Sequence, residues 1–386
     1  MDFEFCCATS MRELFMSELK ESGLNKIAGN VKFGDVTVKS IASNIRNLPA
    51  HVLQQASLIT SGEGIEGDIV LGKVISSVGA VNHIENNNGR DVTLYKGDLF
   101  FGVLGNRKSS TSEYGGIYDK ITISPDAPIT LDLLAVGGIL GYGKAVSPLR
   151  TVKQFLKVQV EGFLGIPGVH SNLNIGDLRG SPYSEKPPTD TPILFICGTS
   201  AEVGKTTATT NLIKALKRKG LRVSATKLTG TGRLRDILAM QDAGADFCLD
   251  FPSVGLSSTY TDKEKAISAI SDVLNTASVG ADIILAELGG DIIEANIPAI
   301  FEDQSIMNRV VGVVQVSGDV LGIIGSLELY KKMNYSKPVY LTLPKGRNPI
   351  GTKERLFQFG LEAYDSLSDE DSDATVEKVM ASINPL

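Results

Sequence analysis

Residues 192–207, PILFICGTSAEVGKTT, set an apolar run, a glycine-framed turn and a Gly-Lys-Thr triplet in direct succession, and no other stretch constrains the fold as tightly. The apolar run has the length of a buried strand. The residues that follow, TTATTNLIKALKRKG, have the spacing of an amphipathic helix. A glycine turn between strand and helix aims backbone N–H groups and the helix N-terminus at an anion, phosphate above all. The common phosphate loop reads G-x-x-x-x-G-K-[ST]. Here Gly198 and Gly204 enclose five residues, Thr199, Ser200, Ala201, Glu202 and Val203. In such a loop Lys205 pairs with β- and γ-phosphates, the Thr206 hydroxyl ligates Mg²⁺, and Thr207 continues the helix start.

Downstream, short apolar runs (LRVSATKL, ADIILAEL, VVGVVQV, KPVYLTLP) alternate with helical segments such as TDKEKAISAISDVLNTAS and LGIIGSLELYKKM. Strands buried on both faces look like this, and alternation with helices implies a parallel sheet. Upstream, residues 52–125 break into short β-like pieces divided by glycine and asparagine, with NNNGR as a hairpin turn, which reads as a small antiparallel sheet or barrel. The expected fold class is α/β: a P-loop NTPase-type parallel sheet with helices on both faces, preceded by a smaller β-rich N-terminal domain. The expected division is a helical or extended segment at 1–50 (MRELFMSELKESG reads as helix), the β-rich domain at 51–130, a glycine-rich connector and linker at 131–188, and the P-loop domain at 189–386. The linker's end, SPYSEKPPTDTP, holds four prolines. The acidic stretch DSLSDEDSDATVEKVMASI reads as a solvated loop running into a final helix.

Composition removes several function classes. A net charge of −6 argues against a general nucleic-acid binder, which shows a basic face. The four cysteines and three histidines are scattered, without zinc spacing. No apolar run approaches the ~20 residues of a membrane span. MDFEFCCATS has no basic-then-apolar leader pattern, so a cytoplasmic protein without membrane association is expected.

A phosphate loop needs a carboxylate near its metal. ADIILAELGGD offers Glu287 at the carboxyl end of a buried strand, where open α/β sheets hold ligands, and GRLRDILAMQ offers Asp236. With these in place, residues 192–241 resemble dethiobiotin synthetase, an ATP-dependent carboxylase whose loop GTDTEVGKT has the same five residues between glycines; this chain reads GTSAEVGKT. The family's K-P-V-x-[ST]-G segment is answered by TKLTGTG, its aspartate before A-L-A-L-Q by RDILAMQ, and its V-E-G-A-G-G by AELGGD. The resemblance implies Mg²⁺ ligation by Thr206, Asp236 and Glu287. It implies phosphate and carboxylated-intermediate binding by Lys205 and Lys227, a catalytic part for Glu202, ATP as the nucleotide, and a homodimer. It covers roughly 190–345. The family's diamine-binding segment and its asparagine-aspartate base motif are missing, LTLPKGRNPIG standing in place of the latter, with Pro344, Lys345 and Gly346 where a base would lie. The first ~180 residues have no counterpart either, which sets the chain apart from dethiobiotin synthetase itself.

The function expected is a Mg-ATP-dependent, ligase- or carboxylase-like enzyme that phosphorylates a small carboxylate or carbamate. The alternatives are a small-molecule kinase and an ATPase or GTPase switch or chaperone. The switch is disfavoured by the lack of an N-K-x-D motif in the P-loop half and of the early loop lysine of partitioning ATPases, where Thr199 and Ser200 stand. Candidate substrate contacts are Asp246, Asp250, Ser257, Ser258 and Thr259. Arg233 and Arg235 are candidates to clamp a carboxylate. Asn106, Arg107 and Lys108 read as a basic hairpin tip, and Cys197 as core packing.

Overall fold

The computed structural model describes residues 30–166, 171–179, 190–344 and 349–383. The expected N-terminal helix (11–23), most of the proline-rich linker, and Lys345 and Gly346 lie outside the described residues. By contacts the chain divides into two compact units.

In the N-terminal unit, five strands form a closed ring. Ile69–Val74 pairs antiparallel with Leu99–Leu104 on one side and with Lys157–Gly165 on the other. Lys157–Gly165 pairs with Thr130–Ala135, which pairs with Ile139–Ala145; a parallel pairing of the last with Leu99–Leu104 completes the barrel. Register shifts near Gly162 and Leu133 supply the extra bend that closure requires. Its core is aliphatic and aromatic, with Phe100, Phe101, Leu131, Leu140 and Phe163 fully buried.

Three of these barrel strands, between 130 and 165, lie almost wholly in the stretch expected to be a connector, 131–188. The glycines that suggested a connector are packing devices. A Cβ at Gly143 would meet the Phe155 ring at 2.3 Å, and one at Gly141 would meet the backbone of Gly116 at 2.9 Å. The NNNGR turn does join two antiparallel strands, His83–Glu85 and Asp91–Thr93.

The second unit holds a parallel sheet of seven strands: β1 (Ile193–Gly198), β2 (Val223–Lys227), β3 (Phe247–Asp250), β4 (Ile283–Glu287), β5 (Val310–Val316), β6 (Val339–Thr342) and β7 (Ala363–Tyr364). Their spatial order is β3-β2-β4-β1-β5-β6-β7, all neighbours parallel. β1, β2 and β4 are buried at every residue, which explains the apolar runs of β1 and β4, while β2 buries Ser224, Thr226 and Lys227 among its apolar residues. Helices Lys205–Arg218, Lys263–Ala277, Val320–Lys332 and Asp369–Ile383 supply the other layers. The last of these starts within the acidic run, so Asp369, Glu370 and Asp371 occupy its first turn instead of a loop. Carboxylates there face the positive end of the helix.

The boundary between units does not follow the chain. Residues 231–235 and 251–260 group with the N-terminal unit, and the rest of the second half forms the sheet unit. Among the described residues, no helix is long and apolar enough to cross a membrane.

Candidate functional site

At the carboxyl end of β1 the chain turns through 199–204 and enters the helix Lys205–Arg218. Gly198 is still a strand residue, paired with Val316, which accounts for the long spacing between the two glycines. A Cβ at Gly198 would lie 2.9 Å from Lys205 Cδ, so glycine is what lets the lysine fold back over the loop. Gly204 caps the helix at φ 105°, a left-handed conformation that strains any other residue. Glu202 adopts φ 64° and is exposed. Thr207 is exposed as well.

Lys205 is only 6% exposed. Its Nζ donates to the carbonyls of Ser200 and Gly290, each at 2.8 Å. An ammonium has three protons, so one remains for an anionic oxygen. Burial pushes Lys205 below the ordinary lysine range; Glu287 opposes that shift and Lys227 adds to it.

β4 brings Glu287 beneath the loop, 3% exposed. Thr206 Oγ1 donates to Glu287 Oε1 at 3.2 Å, and Thr209 Oγ1 approaches Oε2 at 3.4 Å while donating to the Lys205 carbonyl at 2.9 Å. Burial raises the Glu287 carboxyl, as does the charge of Asp236; Lys227, Lys205 and the Thr206 hydroxyl pull it down. Thr209 was not anticipated from the sequence. Its signal is the three-residue spacing from Thr206, which puts both hydroxyls on one helix face.

Registers across the sheet align Asp250, Lys227 and Glu287 at three neighbouring strand ends, Lys227 pairing with Asp250 on one side and Glu287 on the other. Lys227 also forms a close ion pair with Asp236, in the first turn of the helix Leu234–Asp242. Lys205, Thr206, Lys227, Asp236 and Glu287 therefore gather at one edge of the sheet, the carboxyl edge where open α/β folds hold ligands.

Other expectations are not met there. Asp246 precedes β3 at the opposite edge, where it takes the Val223 amide and pairs with Lys217 at 2.6 Å. Arg233 faces Glu85 and Asp91, each at 3.7 Å, and so is not a free clamp, while Arg235 is exposed. Ser257, Ser258 and Thr259 are buried within the N-terminal unit, and the Asn44 amide donates to the Ser257 carbonyl at 3.2 Å. Asn106 and Arg107 are no hairpin tip. Asn106 is buried, and Arg107 pairs at 3.0 Å with Glu113, whose side chain is wholly buried and also holds Arg150 at 2.6 Å. Burial works against the Glu113 carboxylate, but Arg150, Arg107 and Ser112 outweigh it and hold it below the usual range. Cys197 is buried, its thiol pushed up to about 12 by burial, as core packing requires. Pro344 is half-buried after β6.

The donor set suits Mg²⁺. Hard oxygen ligands at about 2.1 Å in octahedral array stand about 3 Å apart, close to the 3.2 Å between Thr206 Oγ1 and Glu287 Oε1. Among the described residues, no group of three or more His, Cys, Asp or Glu is placed to hold a metal alone. Mg²⁺ bound with nucleotide needs only one or two carboxylates, phosphate oxygens supplying the rest.

The chain was compared with known proteins. A search of curated proteins gives no match. Among solved structures, the signal recognition particle receptor FtsY from Elizabethkingia anophelis in complex with GDP is 16% identical, over 52% of this chain and 65% of the receptor, with a TM-score of 0.31. A nucleotide-binding protein from Archaeoglobus fulgidus in complex with ADP is 11% identical over 48% of this chain and 86% of its own, at 0.31. Signal recognition particle 54 kDa protein from Aeropyrum pernix K1, in complex with GDP, is 16% identical over 54% of each chain, at 0.29. This chain thus spans less than two thirds of the receptor and of the 54 kDa protein, and scores this low leave the fold to the strand order itself. One family model matches: residues 194–335 are similar to the CobQ/CobB/MinD/ParA nucleotide binding domain.

Proposed function

We propose that the sheet unit binds Mg-ATP and passes the γ-phosphoryl group to a small carboxylate or carbamate, as a ligase- or carboxylase-like enzyme. The observation that carries this reading is the second lysine. Lys227 stands at the strand end next to Glu287, paired with Asp236, in addition to the loop lysine. Nucleotide binding alone is served by Lys205 and the loop amides. A further buried ammonium at the same edge suits a reaction that brings another anion beside the transferred phosphoryl group. A Mg²⁺ ion held at this edge would supply neutralisation of the charge that builds during transfer. Thr206 and Glu287 would hold it, with Asp236 beside them. Lys205 would spend its remaining proton on the β- or γ-phosphate, and Lys227 would meet the substrate's carboxylate as Asp236 turned to the metal. Exposed on the loop, Glu202 is assigned to the loop's conformation and the approach of substrate. The resemblance to dethiobiotin synthetase rests on the sequence motifs, and it lends ATP and a homodimer to this reading as expectations.

Incubating the protein with Mg-ATP and a pool of small carboxylates and amines, then following products by mass, tests the class. ADP and phosphate with a new amide or carbamate-derived bond are expected. A stable phosphorylated product would make it a kinase, and hydrolysis with no other product, stimulated by a protein partner, would make it a switch. In each case Lys205→Ala should cut turnover by ~10²-fold or more. Full turnover in that variant would move the active site elsewhere.

A further inference from the structure

We infer that Glu85, in the N-terminal β-rich unit, is a positioning residue for the nucleotide site, fixing the first turn of the helix that carries Asp236. This inference rests on the proposed role of Asp236 at the metal.

The helix Leu234–Asp242 follows Arg233 in the chain. An N-cap residue normally offers a side-chain oxygen to the first free amides, and the residue in that place, Arg233, has only donors. The acceptor comes instead from 149 residues earlier in the chain. Glu85 Oε2 accepts from the Leu234 amide at 2.6 Å, and Oε1 accepts from the Arg235 amide at 2.9 Å. Glu85 is fully buried, at the end of the strand His83–Glu85, and its own amide donates to the Val136 carbonyl at 2.7 Å. Glu85, Arg233, Leu234 and Arg235 all belong to the N-terminal unit. A buried carboxylate held at both oxygens by a helix start is a strong, oriented contact, since charge-assisted bonds and the helix dipole act together.

The next residue is Asp236, whose carboxylate pairs with Lys227. A frayed first turn displaces the residue at its end. Glu85 therefore does two things: it satisfies two amides, and it sets where the Asp236 carboxylate stands. A merely stabilising contact would do only the first.

The test uses the full chain and three variants. Glu85→Gln keeps the shape but places an amide N–H₂ against a backbone donor. Leu234→Pro removes one of the two donors at a helix position that proline favours, leaving the carboxylate intact. Asp236→Asn probes the metal role directly. For each, the Mg²⁺ concentration giving half-maximal ATP turnover is measured, with the affinity for a fluorescent ATP analogue in EDTA and the unfolding midpoint. Glu85→Gln should raise the Mg²⁺ requirement by about five- to tenfold while affinity in EDTA stays at the wild-type value. Leu234→Pro should shift it in the same direction, which keeps the test open if Glu85→Gln fails to fold. Wild-type Mg²⁺ titrations for both, with Asp236→Asn shifted, would overturn the role of Glu85 and spare that of Asp236. An unshifted Asp236→Asn would overturn the metal role of Asp236 and the inference with it. Equal loss of affinity with and without Mg²⁺ would reduce Glu85 to a stabilising contact and also overturn it.

Discussion

Glu287 is the residue on which the site's chemistry turns. It is buried beneath two hydroxyls, between two lysines, and near a second acid. A carboxylate that met only Thr206 and Thr209 would gain little from being charged there. One that met a divalent cation would gain a great deal. Glu287→Gln preserves the hydrogen-bonding shape and removes the charge, so it should raise the Mg²⁺ needed for half-maximal turnover at least about tenfold with little change in fold. A titration overlaying the wild type would remove Glu287 as a ligand. The residues of this edge were legible in the sequence because each follows an apolar strand or opens a helix. Lys205, Thr206, Lys227, Asp236 and Glu287 all sit at such junctions. Asp246 misled because it also borders a strand, but at its amino end, and composition does not say which end of a strand a neighbouring acid marks. Glu85 left no local sign, since its partners are backbone amides 149 and 150 residues away, which any residue but proline would supply.

At the scale of elements, the parallel sheet was readable and the barrel only in part. The central strands β1, β4 and β5 are buried almost throughout and stand out as apolar runs. The barrel strands between 130 and 165 carry glycines where neighbours come close, as at Gly141 and Gly143, and the same residues signal loops when read without their partners. The edge of that barrel holds a buried charge cluster that can be tested. The strand Arg107–Lys108, the strand Tyr114–Gly116 and the segment after Ala145 meet at Glu113, which binds Arg107, Ser112 and Arg150. Glu113→Gln leaves Arg107 half-compensated and should cost about 2–4 kcal/mol in chemical denaturation, the lower end because Arg150 is partly solvated. The folded carboxyl titrates below its unfolded value. Its contribution is thus complete above the ordinary glutamate range and is lost as pH falls through the lowered folded value. Wild type should lose stability over that acid interval and Glu113→Gln should lose less; identical acid profiles would refute the assignment.

For the molecule as a whole, the proline-rich stretch near 185 holds one boundary between the units, but a single cut there does not separate them. Residues 251–260 bury Phe251, Val254, Leu256 and Tyr260, and they belong to the N-terminal unit. Asn44 and Asn47 of that unit donate to the carbonyls of Ser257 and Ser253. A fragment of residues 190–386 would leave those apolar side chains without their unit. It should bind a hydrophobic dye and precipitate, and co-expression with residues 1–189 should restore soluble protein. A monodisperse, dye-negative fragment would show the sheet unit to be self-sufficient. The same interleaving bears on synthesis. Domains made on the ribosome ordinarily finish in the order they emerge. Here the first-made unit has to wait for residue 260, by which time β1, β2 and β3 have already been translated. The five barrel strands are made first, but the phosphate loop and its lysine strand leave the ribosome before the last segments of the N-terminal unit, so the two folding events overlap in time.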